Sequence, residues 1–292
     1  MTYSFLTPDK FVLLTGATSG IGRSAAKKLA PTGATLTLVG RDQAMLDQTV
    51  AELRKSSGND RISGLRADLS SVTETRALAE TYKAKHGQLH LLLNNAGAVF
   101  TNRSETAEGL ERTIALNHMA YFELTGGLLD VMRASAPARI VNVASQLHET
   151  GKMHFDDLGL SHNFAPLKAY AQSKLANVMF TFELADRLKD DEITVNALHP
   201  GVVASNFGRS NPGIVGRVTA GVLWTMQNIF GVSADKGSDT LVYLATAQEV
   251  AGETGKYWYK RKVTKVSKDA QDRDQWARLW TESERMAQGA LA

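Results

Sequence analysis

Short apolar runs alternate with longer amphipathic segments along the first two thirds of the chain. Six of these runs have the length and composition of buried strands. They cover residues 11–14, 35–39, 62–66, 90–94, 139–143 and 193–198. The segments between them place apolar residues three and four positions apart, as in a helix with one buried face. Because each parallel crossover needs about a dozen residues, the alternation predicts an α/β protein whose parallel sheet is covered by helices on both faces.

The helical segments and the C-terminal third complete this prediction. Helices are expected at residues 23–30, 42–55, 106–134, 166–189, 213–232, 235–248 and 269–288, and a last strand at 255–259. A further helix, capped by Ser70 or Ser71, is expected to run toward His86. No linker, repeat or low-complexity segment interrupts the pattern, so we expect a single domain over residues 1–292 that ends in a C-terminal helix at 269–292.

Composition narrows the classes of function. The net charge is only +3 and no long basic stripe is present, so we expect no nucleic-acid partner. The absence of cysteine excludes disulfides and thiolate metal sites. No run of about 18 apolar residues could span a membrane, and residues 1–10 lack the pattern of a signal peptide. We therefore expect a cytoplasmic protein without stable membrane insertion.

A glycine-rich loop follows the first predicted strand. Gly16, Gly20 and Gly22 stand between this strand and the first helix. Glycines at such a turn let the backbone approach a pyrophosphate, to which the start of the helix offers N–H groups. The spacing is G-x-x-x-G-x-G rather than G-x-G-x-x-G, and an ordinary strand-to-helix turn is the alternative. The position between a strand and a helix favours nucleotide binding.

The end of the second strand bears on the choice of dinucleotide. An acidic residue there would bond the ribose 2′-hydroxyl of NAD(H), whereas an arginine nearby would receive the 2′-phosphate of NADP(H). Gly40 occupies the strand end and Arg41 follows it, while Asp42 is better placed to begin the next helix. We therefore predict that NADP(H) is preferred over NAD(H). A surface Arg41 without this role is the alternative.

Tyr170 and Lys174 are four residues apart in the predicted helix 166–189, so they share one helix face. An ammonium group beside a phenol favours the phenolate and lowers the pKa of the tyrosine from its usual value of about 10. Tyr170 would then serve as a general acid or base. Most tyrosine–lysine pairs at this spacing only pack together, so the surroundings decide. Several other polar residues fall at strand ends, where chemistry occurs in such a sheet.

Together these motifs resemble the short-chain dehydrogenase/reductases. The matching motifs occur in the family's order over nearly the whole chain: Thr15-Gly16-x-x-x-Gly20-Ile21-Gly22, Asn94-Asn95-Ala96-Gly97, Asn117, Ser145, Tyr170-x-x-x-Lys174 and Pro200-Gly201. Finer features are similar to the retinol dehydrogenase-like branch: Leu116-Asn117-His118, Ser173-Lys174-Leu175-Ala176-Asn177, Leu198-His199-Pro200-Gly201 and Leu279-Trp280. The resemblance implies a doubly wound Rossmann fold, with a mostly parallel sheet of about seven strands, and an NAD(P)-dependent oxidoreductase acting on CH–OH groups.

The resemblance also implies a role for each catalytic position. Tyr170 would be the general acid in carbonyl reduction and the base in alcohol oxidation. Lys174 would lower its pKa and bond the nicotinamide ribose, Ser145 would hydrogen-bond the substrate oxygen, and Asn117 would hold a water in the proton relay. The implied cofactor-binding positions are Gly16, Ser19, Gly20, Ile21, Gly22, Arg41, Asp68, Leu69, Asn94, Ala96, Gly97, Tyr170, Lys174, Pro200, Gly201, Val203 and Ser205. Asn95 is assigned instead to tying the central strands together.

Substrate and partners follow from the same resemblance. Residues 205–236 would form a substrate lid, and its apolar run predicts a lipophilic carbonyl or alcohol. A homo-oligomer is left open, since the family usually pairs subunits through the helices predicted at 106–134 and 166–189. The lysine-rich segment 256–268 is interpreted as a solvated surface, with anionic lipid as the alternative partner. The four histidines considered as metal ligands lack suitable spacing, so no metal is expected; they are His148, His154, His162 and His199.

Two other functions are compatible with these motifs. A dinucleotide-binding regulator would sense NADP(H) and bind a partner protein, although it would not need the full catalytic set. A reductase of a conjugated carbon–carbon double bond would use the same fold and a similar set of residues. Activity across aldehydes, ketones and conjugated alkenes separates these functions from carbonyl–alcohol interconversion.

Overall fold

A computed structural model describes residues 5–201 and 233–290 of the chain. Its strands are β1 (Phe11–Thr15), β2 (Thr35–Gly40), β3 (Ile62–Arg66), β4 (Leu91–Asn94), β5 (Ala138–Val143), β6 (Ile193–Leu198), β7 (Lys256–Tyr259) and β8 (Lys262–Val263). They form one sheet in the order β3-β2-β1-β4-β5-β6-β7-β8, in which only β7 and β8 pair antiparallel. The predicted Rossmann-like α/β fold with a mostly parallel sheet is confirmed.

The described sheet has eight strands, one more than the seven predicted. The extra strand, β8, arises because the chain reverses at Lys260 and Arg261. Both residues have left-handed backbone angles, with φ of 48° and 61°. Such tight turns usually contain glycine or asparagine, so a lysine–arginine pair gives no turn signal in the sequence.

The helices on the two faces of the sheet have the following bounds. They are α1 (Gly20–Leu29), α2 (Gln43–Ser57), α3 (Val72–Lys85), α4 (Arg112–Ile114), α5 (Ala120–Ala134), α6 (Pro166–Arg187), α7 (Ala234–Gly237), α8 (Asp239–Thr246) and α9 (Arg273–Gly289). Asp42, Ser71 and Ser233 cap α2, α3 and α7 through their side chains. These caps satisfy backbone N–H groups that a helix leaves without a partner.

Two predicted helices differ most from the structure, besides shifts of three and four residues at the starts of the helices predicted at 23–30 and 269–288. The helix expected to begin at Thr106 begins at Arg112, because the buried Glu111 carboxylate accepts N–H bonds from Thr113 and Ile114 and starts the helix there. The helix predicted at 235–248 is divided into α7 and α8 at Ser238, whose hydroxyl bonds back to the carbonyl of Asp235 at 2.9 Å. The predicted helix 213–232 and most of the predicted lid 205–236 lie outside the described residues.

Each face of the sheet carries its own apolar core. Successive residues of β1 point to opposite faces: Leu14 packs in the core that includes Leu29 and Leu46, beneath α1 and α2. Leu13 packs in the core that includes Leu128 and Leu184, beneath α5 and α6. Strands buried on both faces are continuously apolar, which explains why a strand such as β1 could be predicted from the sequence.

The C-terminal helix α9 packs on α6. Trp280 stacks on Phe180 with ring centroids 6.0 Å apart, and Trp276 lies 5.4 Å from Phe182. Arg187 places its guanidinium 4.0 Å from the ring centroid of Trp280. Each of these contacts joins an α9 tryptophan to an α6 side chain. None of the helices within residues 5–201 and 233–290 has the length and apolar composition needed to cross a membrane.

A buried polar contact accompanies this packing. His118 Nε2 lies 2.8 Å from Ser283 Oγ of α9, and that hydroxyl donates to the Leu279 carbonyl, so the imidazole must donate from Nε2. Burial lowers the pKa of His118 to about 4, with the nearby Asn177 amide acting in the opposite direction. Neither Asn177 amide atom reaches a hydrogen-bond partner within the described residues. Two side chains from the branch-like motifs thus lie buried near the junction with α9.

Candidate active site

Tyr170 and Lys174 lie on the buried face of α6, where their side chains are only 8% and 2% exposed. The Lys174 ammonium nitrogen lies 5.6 Å from the centroid of the Tyr170 ring. It donates a hydrogen bond to the carbonyl oxygen of Val143, at the end of β5, over 2.9 Å. The Tyr121 hydroxyl donates to the same oxygen at 3.3 Å. The helical spacing therefore brings the phenol and the amine together beside the end of a central strand.

The titration of this pair differs from the sequence-based prediction. Burial raises the pKa of Tyr170 to about 12, and a hydrogen bond with Ser145 opposes that rise only in part. Burial lowers the pKa of Lys174 to about 7. The prediction that the ammonium lowers the pKa of the phenol is wrong for this arrangement, because desolvation dominates and Lys174 directs its N–H at Val143. Tyr170 keeps its proton at neutral pH, as a general acid must.

Ser145 stands two residues after the end of β5 and is half-buried. Its hydroxyl oxygen accepts the N–H of Leu147 at 3.2 Å, and the same hydroxyl is hydrogen-bonded to the Tyr170 phenol. The following turn packs tightly on α6 at Gly151, where a Cβ would lie 2.6 Å from the carbonyl oxygen of Ala171. Glycine at this position therefore allows the Ser145 loop to rest on the helix that carries Tyr170.

Asn117 lies in a π-helical segment, Ala115–Met119, between α4 and α5. Its amide oxygen accepts the Ala98 N–H at 2.8 Å, and its amide nitrogen donates to the Ala98 carbonyl at 2.9 Å and to Ser173 Oγ at 3.0 Å. A Cβ at Gly97 would lie 3.1 Å from Asn117 Oδ1 and 3.2 Å from Lys174 Nζ. The structure thus gathers the four predicted catalytic residues around the ends of β4 and β5.

The glycine loop fits a pyrophosphate. Gly16 has a φ of +66°, and a Cβ there would lie 2.9 Å from the Cα of Ala96; a Cβ at Gly22 would lie 2.2 Å from the Gly16 carbonyl oxygen. Ser19 is the exposed N-cap of α1, makes no side-chain cap bond, and precedes a first turn without acidic residues. The N–H groups at this helix start are therefore well placed to bind an anion. Gly20, with a φ of +53°, and Ile21, which packs on the core, complete the loop.

The ends of β2 and β3 carry the residues predicted to lie on the adenosine side of the cofactor. Arg41 is exposed just after β2, and Asp68 follows β3. Burial acts to raise the pKa of Asp68, but hydrogen bonds from Ser70 and the charges of Arg112 and Arg41 outweigh it and lower the pKa. A Cβ at Gly40 would lie 2.7 Å from the Thr18 methyl group, so any side chain at that strand end would require the Thr18 side chain to move.

The two asparagines at the end of β4, Asn94 and Asn95, both bond to neighbouring strands. Asn95 donates its backbone and side-chain N–H groups to Thr15, which ties β4 to β1 as the sequence predicted. Asn94 is fully buried and donates to Asn142 Oδ1 of β5 at 2.9 Å and to Thr125 Oγ1 at 3.1 Å. Its side chain faces these partners, so Asn94 could reach a cofactor through its backbone.

The remaining predicted positions are distributed as follows. Leu69 is buried next to Asp68, while Ala96 is half-buried beside Gly16. Gly201 has a φ of +82° and donates its N–H to His199 Nδ1 at 3.3 Å, with Pro200 between them after β6. The positions outside the described residues are Val203 and Ser205. Among residues 5–201 and 233–290, no group of three or more histidine or carboxylate side chains is arranged to hold a metal ion.

Sequence reasoning did not assign Ser173, Tyr121 and His148 to the site. Ser173 Oγ accepts from Asn117 and donates to the Tyr170 carbonyl at 2.8 Å, so it joins two predicted catalytic residues. Its position directly before Lys174 was the available signal. Tyr121 carried none, because an aromatic residue in an apolar helix is expected in the core.

The chain matches proteins of a known family over most of its length. The family model for short chain dehydrogenases matches residues 10–212. The chain belongs to the short-chain dehydrogenase family. Human retinol dehydrogenase 12 is 38% identical over 276 residues, covering 94% of this chain and 85% of that protein. The enzyme is thus an NAD(P)-dependent oxidoreductase that acts on CH–OH groups and is similar to retinol dehydrogenases.

Solved structures agree with this membership. A crystal structure of an uncharacterised protein from Mycobacterium paratuberculosis has a TM-score of 0.76 and 26% identity, covering 98% of this chain and 96% of that one. The active-site complex of Pseudomonas aeruginosa RhlG with NADP has a TM-score of 0.67 and 26% identity, covering 88% and 95%. The short-chain dehydrogenase therefore shares its sheet and helices with a family member that binds NADP.

Proposed function

We propose that this enzyme interconverts a carbonyl and an alcohol on a lipophilic substrate, prefers NADP(H), and uses Tyr170 as its general acid and base. One observation carries the proposal. The hydroxyls of Ser145 and Tyr170 are hydrogen-bonded to each other beside the amine of Lys174. A carbonyl oxygen placed between the two hydroxyls would receive a proton from one and a hydrogen bond from the other.

In the reducing direction, Tyr170 transfers its proton to the carbonyl oxygen while Ser145 stabilises the negative charge that develops there. When bound, the nicotinamide supplies or accepts the hydride. In the oxidising direction, Tyr170 must take the proton of the alcohol, and its raised pKa means that the phenolate required for this step is a minor form near neutral pH. The side-chain amide of Asn117 is already engaged, so a relay water would meet its backbone carbonyl, in the π-helical segment.

The cofactor preference rests on the residues after β2. Gly40 faces the Thr18 methyl group closely, which disfavours the acid that would bond a ribose 2′-hydroxyl. Arg41 is exposed beside it and lies close enough to Asp68 to lower the pKa of that carboxyl. A 2′-phosphate would meet a guanidinium that forms charge-assisted bonds readily. We therefore assign the binding of this phosphate to Arg41.

A lipophilic substrate is supported by two exposed leucines and by the relatives. Leu147 stands two residues after Ser145, and Leu167 stands three residues before Tyr170. Their exposed fractions are 36% and 40%, which places both among the large apolar side chains most exposed to solvent. One relative, human retinol dehydrogenase 12, is named for retinol, which is an apolar alcohol. A substrate with a long apolar portion would cover such side chains.

The decisive experiment compares Tyr170→Phe with the matched control Tyr243→Phe. NADPH consumption is measured with retinaldehyde, simple aldehydes, ketones and conjugated alkenes. We expect the wild type and the control to reduce apolar aldehydes, and Tyr170→Phe to lose turnover while it still binds NADPH. Residual turnover near the wild-type rate would reject Tyr170 as the acid, and consumption with alkenes alone would indicate a double-bond reductase.

A cytoplasmic location and a single domain over residues 1–292 are proposals that accompany this function. Cell fractionation with an antibody against the chain tests the first. Limited proteolysis tests the second, since a two-domain chain would yield two stable fragments with a cut between them. Recovery in a membrane fraction that resists salt washing would contradict the proposed location.

A further inference from the structure

His148 lies three residues after Ser145 and is fully buried. Its Nδ1 lies 2.8 Å from the Ser145 carbonyl oxygen, which can only accept, so Nδ1 carries the proton. The backbone N–H of Ser267 approaches Nε2 to 3.4 Å and can only donate. The two neighbours therefore fix the imidazole as the neutral tautomer protonated on Nδ1.

The ring is held from a third side. Tyr257 of β7 meets it edge-on, with centroids 4.7 Å apart. The imidazole thus connects the loop after β5 to the C-terminal segment that follows β8, across 119 positions of sequence. These contacts restrain the imidazole to one orientation. The Nδ1–H group of His148 therefore restrains the position of the Ser145 carbonyl oxygen.

The position of the Ser145 carbonyl oxygen is coupled to the orientation of the Ser145 hydroxyl. This residue is extended, with φ of −156° and ψ of 153°, and it caps the short 3₁₀ turn Gln146–Thr150. Rotation about ψ swings the carbonyl group, and it also shifts the N–H of Leu147 that bonds the Ser145 hydroxyl at 3.2 Å. Fixing the carbonyl therefore fixes the hydrogen bond that orients the hydroxyl. Gly151 anchors the far end of the same turn against Ala171.

We propose that His148 is a positioning residue for catalysis: its Nδ1–H holds the Ser145 carbonyl and thereby aims the Ser145 hydroxyl at the substrate oxygen. The inference rests on the proposed function, because it takes Ser145 as the group that bonds that oxygen. His148 itself touches neither substrate nor cofactor in this scheme. Its effect passes through the backbone of the serine.

Two amide substitutions separate the two bonds of the imidazole. In His148→Asn the side-chain NH₂ stands near the place of Nδ1 and can still donate to Ser145. In His148→Gln the amide oxygen reaches the place of Nε2 and can still accept from Ser267. The side-chain bond to the Ser145 carbonyl is lost, and only the backbone N–H of residue 148 still donates to that oxygen, at 3.1 Å. Both variants lose one bond, so they should have similar melting temperatures. Only one of them should lose catalysis.

The assay is NADPH-dependent reduction of retinaldehyde, or of the best aldehyde of the panel, at saturating cofactor. A 1 Å misplacement can cost 10²-fold, so we expect kcat/KM to fall about tenfold or more in His148→Gln and to stay within about threefold of wild type in His148→Asn. The dissociation constant of NADPH should not change in either variant. Equal losses in the two variants, or losses that follow the melting temperature, would overturn the inference.

Ser145→Ala distinguishes this inference from the function on which it rests. Loss of an oxyanion donor typically lowers kcat by about 10² or more, and we expect that loss here. If Ser145→Ala is inactive and His148→Gln is fully active, the role of His148 is rejected and the proposed function stands. If Ser145→Ala is fully active, the role of Ser145 is rejected and the inference falls with it. In the double variant the His148→Gln effect should vanish, since the hydroxyl it aims is absent.

Discussion

Lys174 donates to the carbonyl oxygen of Val143 at 2.9 Å, and the same nitrogen lies 5.6 Å from the centroid of the Tyr170 ring. The amine is 2% exposed, and burial lowers its pKa to about 7. Charging the buried Lys174 costs free energy and lowers the stability of the folded state. That cost can be measured through its dependence on pH.

Replacement of Lys174 by methionine should abolish turnover and raise stability. The unfolded lysine has a pKa of about 10.5 and the folded one about 7, so between these values the unfolded chain binds more protons and wild-type stability rises with pH. Below pH 7 both states are charged and the burial cost is complete. The advantage of Lys174→Met should therefore be greatest near pH 6 and shrink by roughly 1 kcal/mol per pH unit above 7.

Urea unfolding of both proteins between pH 6 and 9 checks this prediction. Val143 keeps the Tyr121 hydroxyl as a partner in the variant, so its carbonyl is not left bare. A stability difference that does not change with pH would mean that Lys174 has an ordinary pKa in the folded state.

Replacement of Arg41 by alanine should weaken NADPH binding and leave NADH binding unchanged. A guanidinium–phosphate contact is worth about 1.5–3 kcal/mol, which corresponds to an increase of about 10- to 100-fold in the dissociation constant. Arg273→Ala is the matched control, because this exposed arginine pairs with Asp186 far from β2. Titration of protein fluorescence with each cofactor measures the effect. Equal weakening of both cofactors would reject the phosphate contact.

Alanine substitutions at Gly16 and Gly58 distinguish the cost of a positive φ angle from the cost of a close contact. Their φ angles are +66° and +68°, but a Cβ at Gly16 would lie 2.9 Å from the Ala96 Cα, whereas nothing lies within 4 Å at Gly58. Gly58→Ala should cost only the strain, about 1 kcal/mol. Gly16→Ala should cost clearly more and also weaken NADPH binding. Equal losses of unfolding free energy would show that the loop can shift away from β4.

The polar residues buried between α6 and α9 give opposite predictions. Ser283→Ala leaves the Nε2–H of His118 without a partner and should lower the unfolding free energy by about 1–3 kcal/mol. Asn177→Leu removes an amide that makes no hydrogen bond within the described residues, and should raise it by roughly 1 kcal/mol. Thermal and urea unfolding of the two variants test both signs. Destabilisation by Asn177→Leu would show that the amide is hydrogen-bonded, either to the neighbouring His118 or through a water.

The fold was readable where burial leaves a continuous apolar run. β6 has the predicted bounds, because most of its residues are buried and the polar residues Glu192 and His199 flank it. β8 was not predicted, because Lys260 and Arg261 adopt left-handed backbone angles that are uncommon for lysine and arginine. The predicted start of the helix at Thr106 was too early because the cap that decides it, Glu111, lies inside an amphipathic pattern.

The site was readable in its residues and less so in its electrostatics. Spacing placed Tyr170 and Lys174 together, and the structure has them on one buried face of α6. Their pKa values depend on desolvation and on the Val143 carbonyl, a tertiary contact with no signal in local spacing. The same holds for His148, whose second bond comes from Ser267. Backbone atoms from distant segments cannot be anticipated from side-chain motifs.

The position of α9 bears on how copies of the chain could assemble. The sequence left a homo-oligomer open and named α6 as one of two helices through which the family usually pairs subunits. In the structure Trp280 and Trp276 of α9 pack against Phe180 and Phe182 of that helix. A second copy could reach these aromatic rings only by displacing a helix that the first copy keeps in place. The chain thus covers these α6 rings with its own C-terminal helix.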